Sequence, residues 1–271
     1  MRTLILACCV LMAATSTAQQ IPRPFQPTSG MPGKDVVWVP TFAAMVDKML
    51  AVAKVTPADF VMDLGSGDGR NIVAAAKLGA RGLGVEFNPD MVALSRRIAT
   101  EAGVGNRAQF IEGDMYTADV SQATVLALFL LPANMNRLAS TFLEMRPGSR
   151  IVANTFGIDG WEPDERATLD STDECESWCD VLLWIVPAKV WGTWQTAVGN
   201  LTLTQMYQTV QGTYAVRGTS HTVTNGRLVG SRFSFIAGGL TYTGTVNGDR
   251  IDGMMTTPSG QVPWRATRLA P

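Results

Sequence analysis

The stretch from Asp59 to Leu78 constrains the fold more than any other part of this chain. Asp59–Leu64 reads as a buried strand. Gly65, Gly67 and Gly69 follow at alternate positions, and Asn71–Leu78 has helical spacing. A strand, a glycine-rich turn and a helix in that order open a mostly parallel α/β sheet. The glycines allow backbone conformations and close approaches that a Cβ forbids. The helix start offers unpaired N–H groups and the positive end of a dipole.

The alternation continues downstream. Gly82–Glu86, Arg107–Glu112, Thr124–Leu131 and Arg150–Phe156 read as strands, and Val181–Val186 as a sixth. Pro89–Ala102 and Asn134–Met145 read as helices, and Phe42–Ala53 as one that precedes the sheet. The expected fold is therefore α/β, a doubly wound, mostly parallel Rossmann-like sheet with right-handed crossovers. Its expected span is 36–187, after an extended Pro- and Gly-rich lead-in over 19–35.

The charges around the turn select the ligand. A dinucleotide fingerprint needs a third glycine at 70, where Arg70 stands. Asp63, two residues before Gly65, would repel a pyrophosphate and suits a ligand bearing an ammonium and a sulfonium. Glu86 ends the second strand 21 residues beyond Gly65, the spacing of a carboxylate that accepts ribose hydroxyls. Asp114 follows the third strand, where it can accept an adenine amine while Met115 packs on the ring. These residues, with Ser66 inside the glycine turn, predict an S-adenosylmethionine site of Asp63, Gly65, Ser66, Gly67, Gly69, Glu86, Asp114 and Met115.

With those residues in place, the stretch from about 36 to 165 resembles the class I S-adenosylmethionine-dependent methyltransferases. Within them it is similar to the lysine methyltransferases related to the ATP synthase c-subunit enzyme. The resemblance rests on Val39-Pro40, Asp63–Gly69, Gly84-Val85-Glu86, Asp119-Val120-Ser121 and Pro147–Val152. It covers about half of the chain and implies further cofactor contacts from Pro40 and Thr41. The fourth strand ends Phe129-Leu130-Leu131-Pro132 and lacks the Asn/Asp-Pro-Pro-aromatic signature of base amino methylation. The expected acceptor is thus a protein amine, lysine above all, or a small molecule, and not nucleic acid. The sole histidine, His221, lies far downstream in an expected exposed turn, so no histidine base serves the first 187 residues. Asn154, Thr155, Phe156 and Trp161 are candidates for the acceptor pocket or for simple loop packing. No metal site is expected.

After Pro187 the texture changes to short alternating runs of Thr, Gly, Val and aromatics. Seven or eight strands fit 188–271, with hairpin turns expected at Asn225-Gly226 and Asn247-Gly248, as a small antiparallel all-β barrel or sandwich. Gly192-Thr193-Trp194 on a first strand, with Trp264-Arg265 near the last, resembles a feature of lipocalin-like barrels. Residues 1–187 carry 15 Lys+Arg against 21 Asp+Glu, and 188–271 carry 7 against 2. The basic segment either leans on the acidic one or meets an anionic partner.

Residues 1–18 read as a secretory signal peptide, with Arg2, an apolar run from Leu4 to Ala14 and small residues before Gln19. Export is expected, with an uncleaved, inward-facing anchor as the alternative. No stable membrane span is expected in the mature chain. Cys175 and Cys179 either form a local disulfide or remain two part-buried thiols. Export of a domain built for a cytoplasmic cofactor keeps a rival open, an exported binding protein on a vestigial nucleotide fold.

Overall fold

The computed structural model of the protein describes residues 25–169, 175 and 177–270. The expected signal peptide lies outside them. A short antiparallel pair, β1 (Met31–Pro32) and β2 (Val37–Trp38), precedes α1 (Ala43–Val52). The sheet is then laid down by β3 (Phe60–Leu64), α2 (Arg70–Lys77), β4 (Arg81–Glu86), α3 (Pro89–Glu101) and β5 (Ala108–Glu112). It continues with β6 (Val125–Leu128), α4 (Pro132–Phe142), β7 (Arg150–Asn154), β8 (Glu165–Thr168) and β9 (Asp180–Ile185).

The strand order is β5-β4-β3-β6-β7-β9-β8. Strands β3 to β7 pair in parallel, while β9 runs antiparallel to both β7 and β8. Both faces of the sheet are covered, so its strands read as nearly continuous apolar runs. Val61, Val125 and Val152 face a core shared with Met45, Met49, Ile72 and Val92 of α1, α2 and α3. Met62, Leu64, Leu126 and Ile151 face Met135, Leu138 and Phe142 of α4. The chain winds outward from β3 in one direction and from β6 in the other. The crevice between their C-terminal ends is where such sheets bind ligands.

The remaining strands, β10 (Gly192–Thr196), β11 (Gly199–Met206), β12 (Thr209–Val216), β13 (Thr219–Val229), β14 (Arg232–Ala237), β15 (Leu240–Asn247), β16 (Arg250–Thr257) and β17 (Gly260–Arg268), close into an antiparallel barrel. Every neighbour in the chain pairs as a hairpin, and β10 closes on β17. The interior is filled by Trp194, Tyr214, Phe233, Phe235, Tyr242 and smaller apolar groups. Phe235 stacks on Tyr242 with ring centroids 4.7 Å apart. Among the described residues, two ion pairs join the basic segment to the acidic one. Arg227 pairs with Asp164 at 2.7 Å and Lys189 with Glu144 at 2.8 Å. Tyr207 stacks on Trp161 at 4.8 Å, and Gln208 donates to the Glu162 carbonyl at 2.6 Å.

Three local expectations are corrected. Asn225-Gly226 is no hairpin turn. Asn225 takes φ 53° inside β13, at a register shift between Thr224 and Arg227. The extra residue makes a bulge, which bends the strand. The turn falls instead between β12 and β13, so His221 is half-buried on β13 opposite Tyr214. The arginine on the β10 tryptophan is Arg268, 4.2 Å from the Trp194 ring, and not Arg265, which pairs with Asp252. Asn247-Gly248 does turn β15 into β16. Strand β8 is not expected from sequence, because its residues are mostly exposed and carry no apolar alternation.

Candidate active site

The C-terminal ends of β3, β4 and β5 deliver Asp63, Glu86 and Asp114 to one side of the sheet. They line two hollows that share Trp38 and Gly65 and form one trough. Glu86, Asp114 and Met115 line the first hollow, with Lys34 at its rim. Pro40, Thr41, Asp63, Ser66, Gly67 and Arg70 line the second. Of the residues expected at the cofactor, only Gly69 lines neither.

Glu86 is held by two backbone amides. Its Oε2 accepts from Gly67 N–H and its Oε1 from Asn88 N–H, both at 2.9 Å. The carboxylate is thereby aimed along the glycine turn. Asn88 caps α3 by accepting from Asp90 N–H at 2.9 Å, so the loop after β4 is fixed as well.

Asp63 is buried, and its Oδ2 accepts from Asn71 Nδ2 at 3.1 Å. Among the described residues, no cation faces it. Burial pushes its carboxyl up to about 8; the Asn71 hydrogen bond opposes this, while Glu86 and Asp68 add like charge. Nearby, Ser66 Oγ and Asn71 Oδ1 are buried without a partner. Buried polar groups are normally satisfied, so a cluster of unsatisfied ones beside an ionisable acid marks a place prepared for a polar ligand.

The glycines work differently from one another. All three in the turn have positive φ. A Cβ on Gly67 would lie 2.5 Å from Trp38 Nε1, and one on Gly69 would lie 2.5 Å from the Phe110 ring. Gly69 therefore shapes the turn and admits Phe110, away from the trough. Gly67 admits Trp38, which covers the turn from the segment after β1.

Asp114 accepts from Lys34 Nζ at 2.6 Å and from Tyr116 N–H at 2.9 Å. The hydrogen bond from Lys34 holds its carboxyl below the usual carboxylate range. Arg70 bridges the turn to the segment before α1: it pairs with Asp68 at 2.5 Å and donates to the Thr41 carbonyl. That explains an arginine where a dinucleotide site needs glycine. Lys34, Trp38 and Arg70 were missed as site residues; only Arg70 left a sequence signal, as the break in the glycine pattern.

A third recess adjoins the second hollow and shares Val39, Pro40, Thr41 and Phe129 with it. Asn154 and Trp178 also line it. Phe156 stacks behind Phe129 with centroids 6.0 Å apart. Trp161 is not there. It is buried against Trp184 and Tyr207, where the sheet meets the barrel. Cys175 and Cys179 are joined as a disulfide, with Cα atoms 5.8 Å apart.

This doubly wound sheet, with its trough at the switch point, is that of the class I S-adenosylmethionine-dependent methyltransferases. The model of the ANTKMT methyltransferase domain matches residues 63–165. A protein-lysine N-methyltransferase of Saccharolobus islandicus (strain REY15A) is 40% identical over 134 residues, 48% of this chain and 83% of that protein. The ATP synthase c-subunit lysine N-methyltransferase of Mus musculus is 34% identical over 128 residues, 47% of this chain and 51% of that one. A solved RNA methyltransferase from Salinibacter ruber, in complex with S-adenosyl-L-homocysteine, is 39% identical and superposes with a TM-score of 0.52. The match covers 56% of this chain and 96% of that one.

The chain belongs to this family of S-adenosylmethionine-dependent methyltransferases, which includes the ATP synthase c-subunit lysine N-methyltransferases. It spans about half the length of the Mus musculus relative. The match to the domain model ends at residue 165, short of the barrel strands.

Proposed function

We propose that the chain N-methylates a lysine side chain of a protein, with the cofactor held by Pro40, Thr41, Asp63, Gly65, Ser66, Gly67, Gly69, Glu86, Asp114 and Met115. The observation that carries the cofactor assignment is Asp63, a carboxyl group buried without a cation beside Asn71, whose Oδ1 has no partner, in a hollow that Ser66 also lines. A cationic ligand beside it would bring the missing charge. Glu86 faces the ribose hydroxyls, and Asp114 the adenine amine beside Met115. Gly69 contributes by setting the turn.

S-adenosylmethionine supplies a methyl group already activated on a sulfonium sulfur. What remains for the chain is to align a nucleophile in line and exclude water. Trp38 and the Arg70–Thr41 link hold the segment from β2 to α1 over the glycine turn. A lysine amine must lose its proton before attack, and an apolar entrance favours the neutral form. Phe129, Phe42 and Pro40 supply the apolar part of the entrance, beside Thr41 and Asn154.

The lysine reading is supported by the lysine methyltransferases among the relatives and by the Phe129-Leu130-Leu131-Pro132 strand end. RNA is the competing macromolecule, because the Salinibacter ruber relative bears that name. The acidic balance of residues 1–187 disfavours it. We further propose that the chain is exported and folds as two units, with boundaries as expected from the sequence. The leader pattern and the Cys175–Cys179 disulfide support export.

The test is methyl transfer from radiolabelled S-adenosylmethionine to a cell-envelope extract, with mass mapping of the labelled residue. Label on lysine supports the proposal. Label only on RNA or on a small molecule overturns the acceptor class and leaves the cofactor site standing.

A further inference from the structure

The recess beside the trough has a wall that fold stability does not explain. Trp178 is 43% exposed, yet its backbone sits at φ 60°. That region is sparsely populated by bulky residues and persists only where the surroundings enforce it. The enforcing element is the residue beside it. The Cys179 carbonyl accepts from Leu169 N–H at 2.9 Å, next to the β8–β9 edge, and Cys179 is bonded to Cys175. Both cysteines pack against the core on the α1 side of the sheet. A short cross-linked loop thus holds an indole out in solvent at one end of a cavity.

The placement of that indole is specific. Trp178 meets Phe129 edge to face, with centroids 5.8 Å apart and planes at 61°. Phe129 is the residue where recess and Asp63 hollow join. The recess opens at the Asp63 end of the trough, opposite the end where Glu86 and Asp114 stand. With the sulfonium held on the Asp63 side, as proposed, an acceptor would approach from this end. Aromatic walls suit a lysine. They cover its methylene stem, exclude water from its amine, and turn ring faces to the charge that forms on methylation.

We infer that the acceptor lysine enters through this recess against Phe129 and Trp178, and that the Cys175–Cys179 disulfide is the device that positions Trp178. The inference rests on the proposed lysine reading. Reduction by dithiothreitol would add two electrons and two protons to the bond. It leaves two thiols and converts the reagent to its cyclic disulfide. The loop is then free to relax Trp178 out of its αL conformation, and the acceptor loses one wall while the cofactor trough is untouched.

A bisubstrate probe tests this without knowledge of the acceptor. It is an S-adenosylhomocysteine analogue whose sulfur is replaced by nitrogen carrying an aminopentyl chain. Calorimetry compares it with S-adenosylhomocysteine on the wild type, Trp178→Ala, Trp178→Phe and the Cys175→Ser/Cys179→Ser pair. The wild type is expected to bind the probe at least tenfold more tightly than S-adenosylhomocysteine. Trp178→Ala, the serine pair and dithiothreitol-treated wild type should each lose most of that gain. Trp178→Phe should keep most of it. Affinity for S-adenosylhomocysteine should stay within twofold throughout, which also verifies that the variants fold. No gain in the wild type, or a gain that survives Trp178→Ala, overturns the inference. A gain retained in the serine pair and after reduction overturns the role of the disulfide. Methyl mapped to lysine with no probe gain sinks the recess alone. A probe gain with methyl mapped elsewhere sinks the lysine reading.

Discussion

In the sheet half of the molecule, Asp63 is buried without a cation, and Ser66 Oγ, Asn71 Oδ1 and, away from the trough, Trp161 Nε1 lack partners. In the barrel the buried polar atoms are paired. Trp194 Nε1 donates to the Val190 carbonyl at 2.7 Å, and Thr196 and Tyr214 share a hydrogen bond of 2.9 Å between hydroxyls. Among the described residues, no barrel side chain has a buried, unpartnered nitrogen or oxygen. Unpaired buried polar groups cost folding free energy. Ser66, in the turn after β3, and Asn71, in α2, line the same hollow as Asp63, the placement of groups held for a ligand. A closed barrel whose interior is filled by rings and whose polar atoms are satisfied is built to be stable. The contrast therefore separates the part that does chemistry from the part that packs.

The contrast predicts opposite outcomes for core and site substitutions. Phe235→Ala removes a fully buried ring from the barrel and should cost about 3–5 kcal/mol of stability. Urea unfolding measures the loss, and the affinity of the remaining folded protein for S-adenosylhomocysteine should not move. Glu86→Ala should do the reverse. It removes a charged acceptor from the trough, which at about 2–3 kcal/mol corresponds to a loss of roughly 100-fold in cofactor affinity by calorimetry. Stability should fall far less than in Phe235→Ala. If either variant moved both quantities equally, the division would fail.

A smaller effect probes the junction. Arg227→Ala leaves Asp164, a nearly buried carboxylate, with only the Ile185 N–H as donor. Half of Arg227 is exposed, so the expected cost is about 1 kcal/mol. Unfolding midpoints would record it, again with cofactor affinity unchanged. A larger loss of affinity would mean that the barrel acts on the trough through this contact.

Much of the trough was legible in the sequence because it depends on local order. A parallel strand ends, a loop follows, and the acid at that position faces the crevice whatever the rest of the chain does. Asp63, Glu86 and Asp114 obey that rule. Long-range contacts obey no such rule. Lys34 reaches Asp114 across 80 residues of chain from the extended lead-in, and Trp38 reaches Gly67 from β2. Nothing in their local sequence marks either as part of a site. Trp161 is another case. Its place after β7 left an acceptor wall and simple packing both open, and stacking on Tyr207 of the barrel decides for packing. In the barrel, seven or eight strands were legible from alternation, but not the count of eight or the closure of β10 on β17. The bulge at Asn225 was not, because Asn-Gly serves a bulge as readily as a turn.

A cation bound beside Asp63 must displace its proton, so proton release on binding reports whether the cofactor sits there. Free Asp63 holds its proton up to about pH 8, whereas a bound cation favours the ionised carboxylate. Binding at pH 6.5 must therefore expel a proton, and affinity should rise with pH, by up to about tenfold per unit below 8. S-adenosylmethionine should be titrated calorimetrically at pH 6.5 in two buffers of different ionisation enthalpy, beside Asp63→Asn. The account predicts release of close to one proton by the wild type and none by the variant, whose affinity is also lower. Tight binding with no proton released, or equal release from Asp63→Asn, would contradict it.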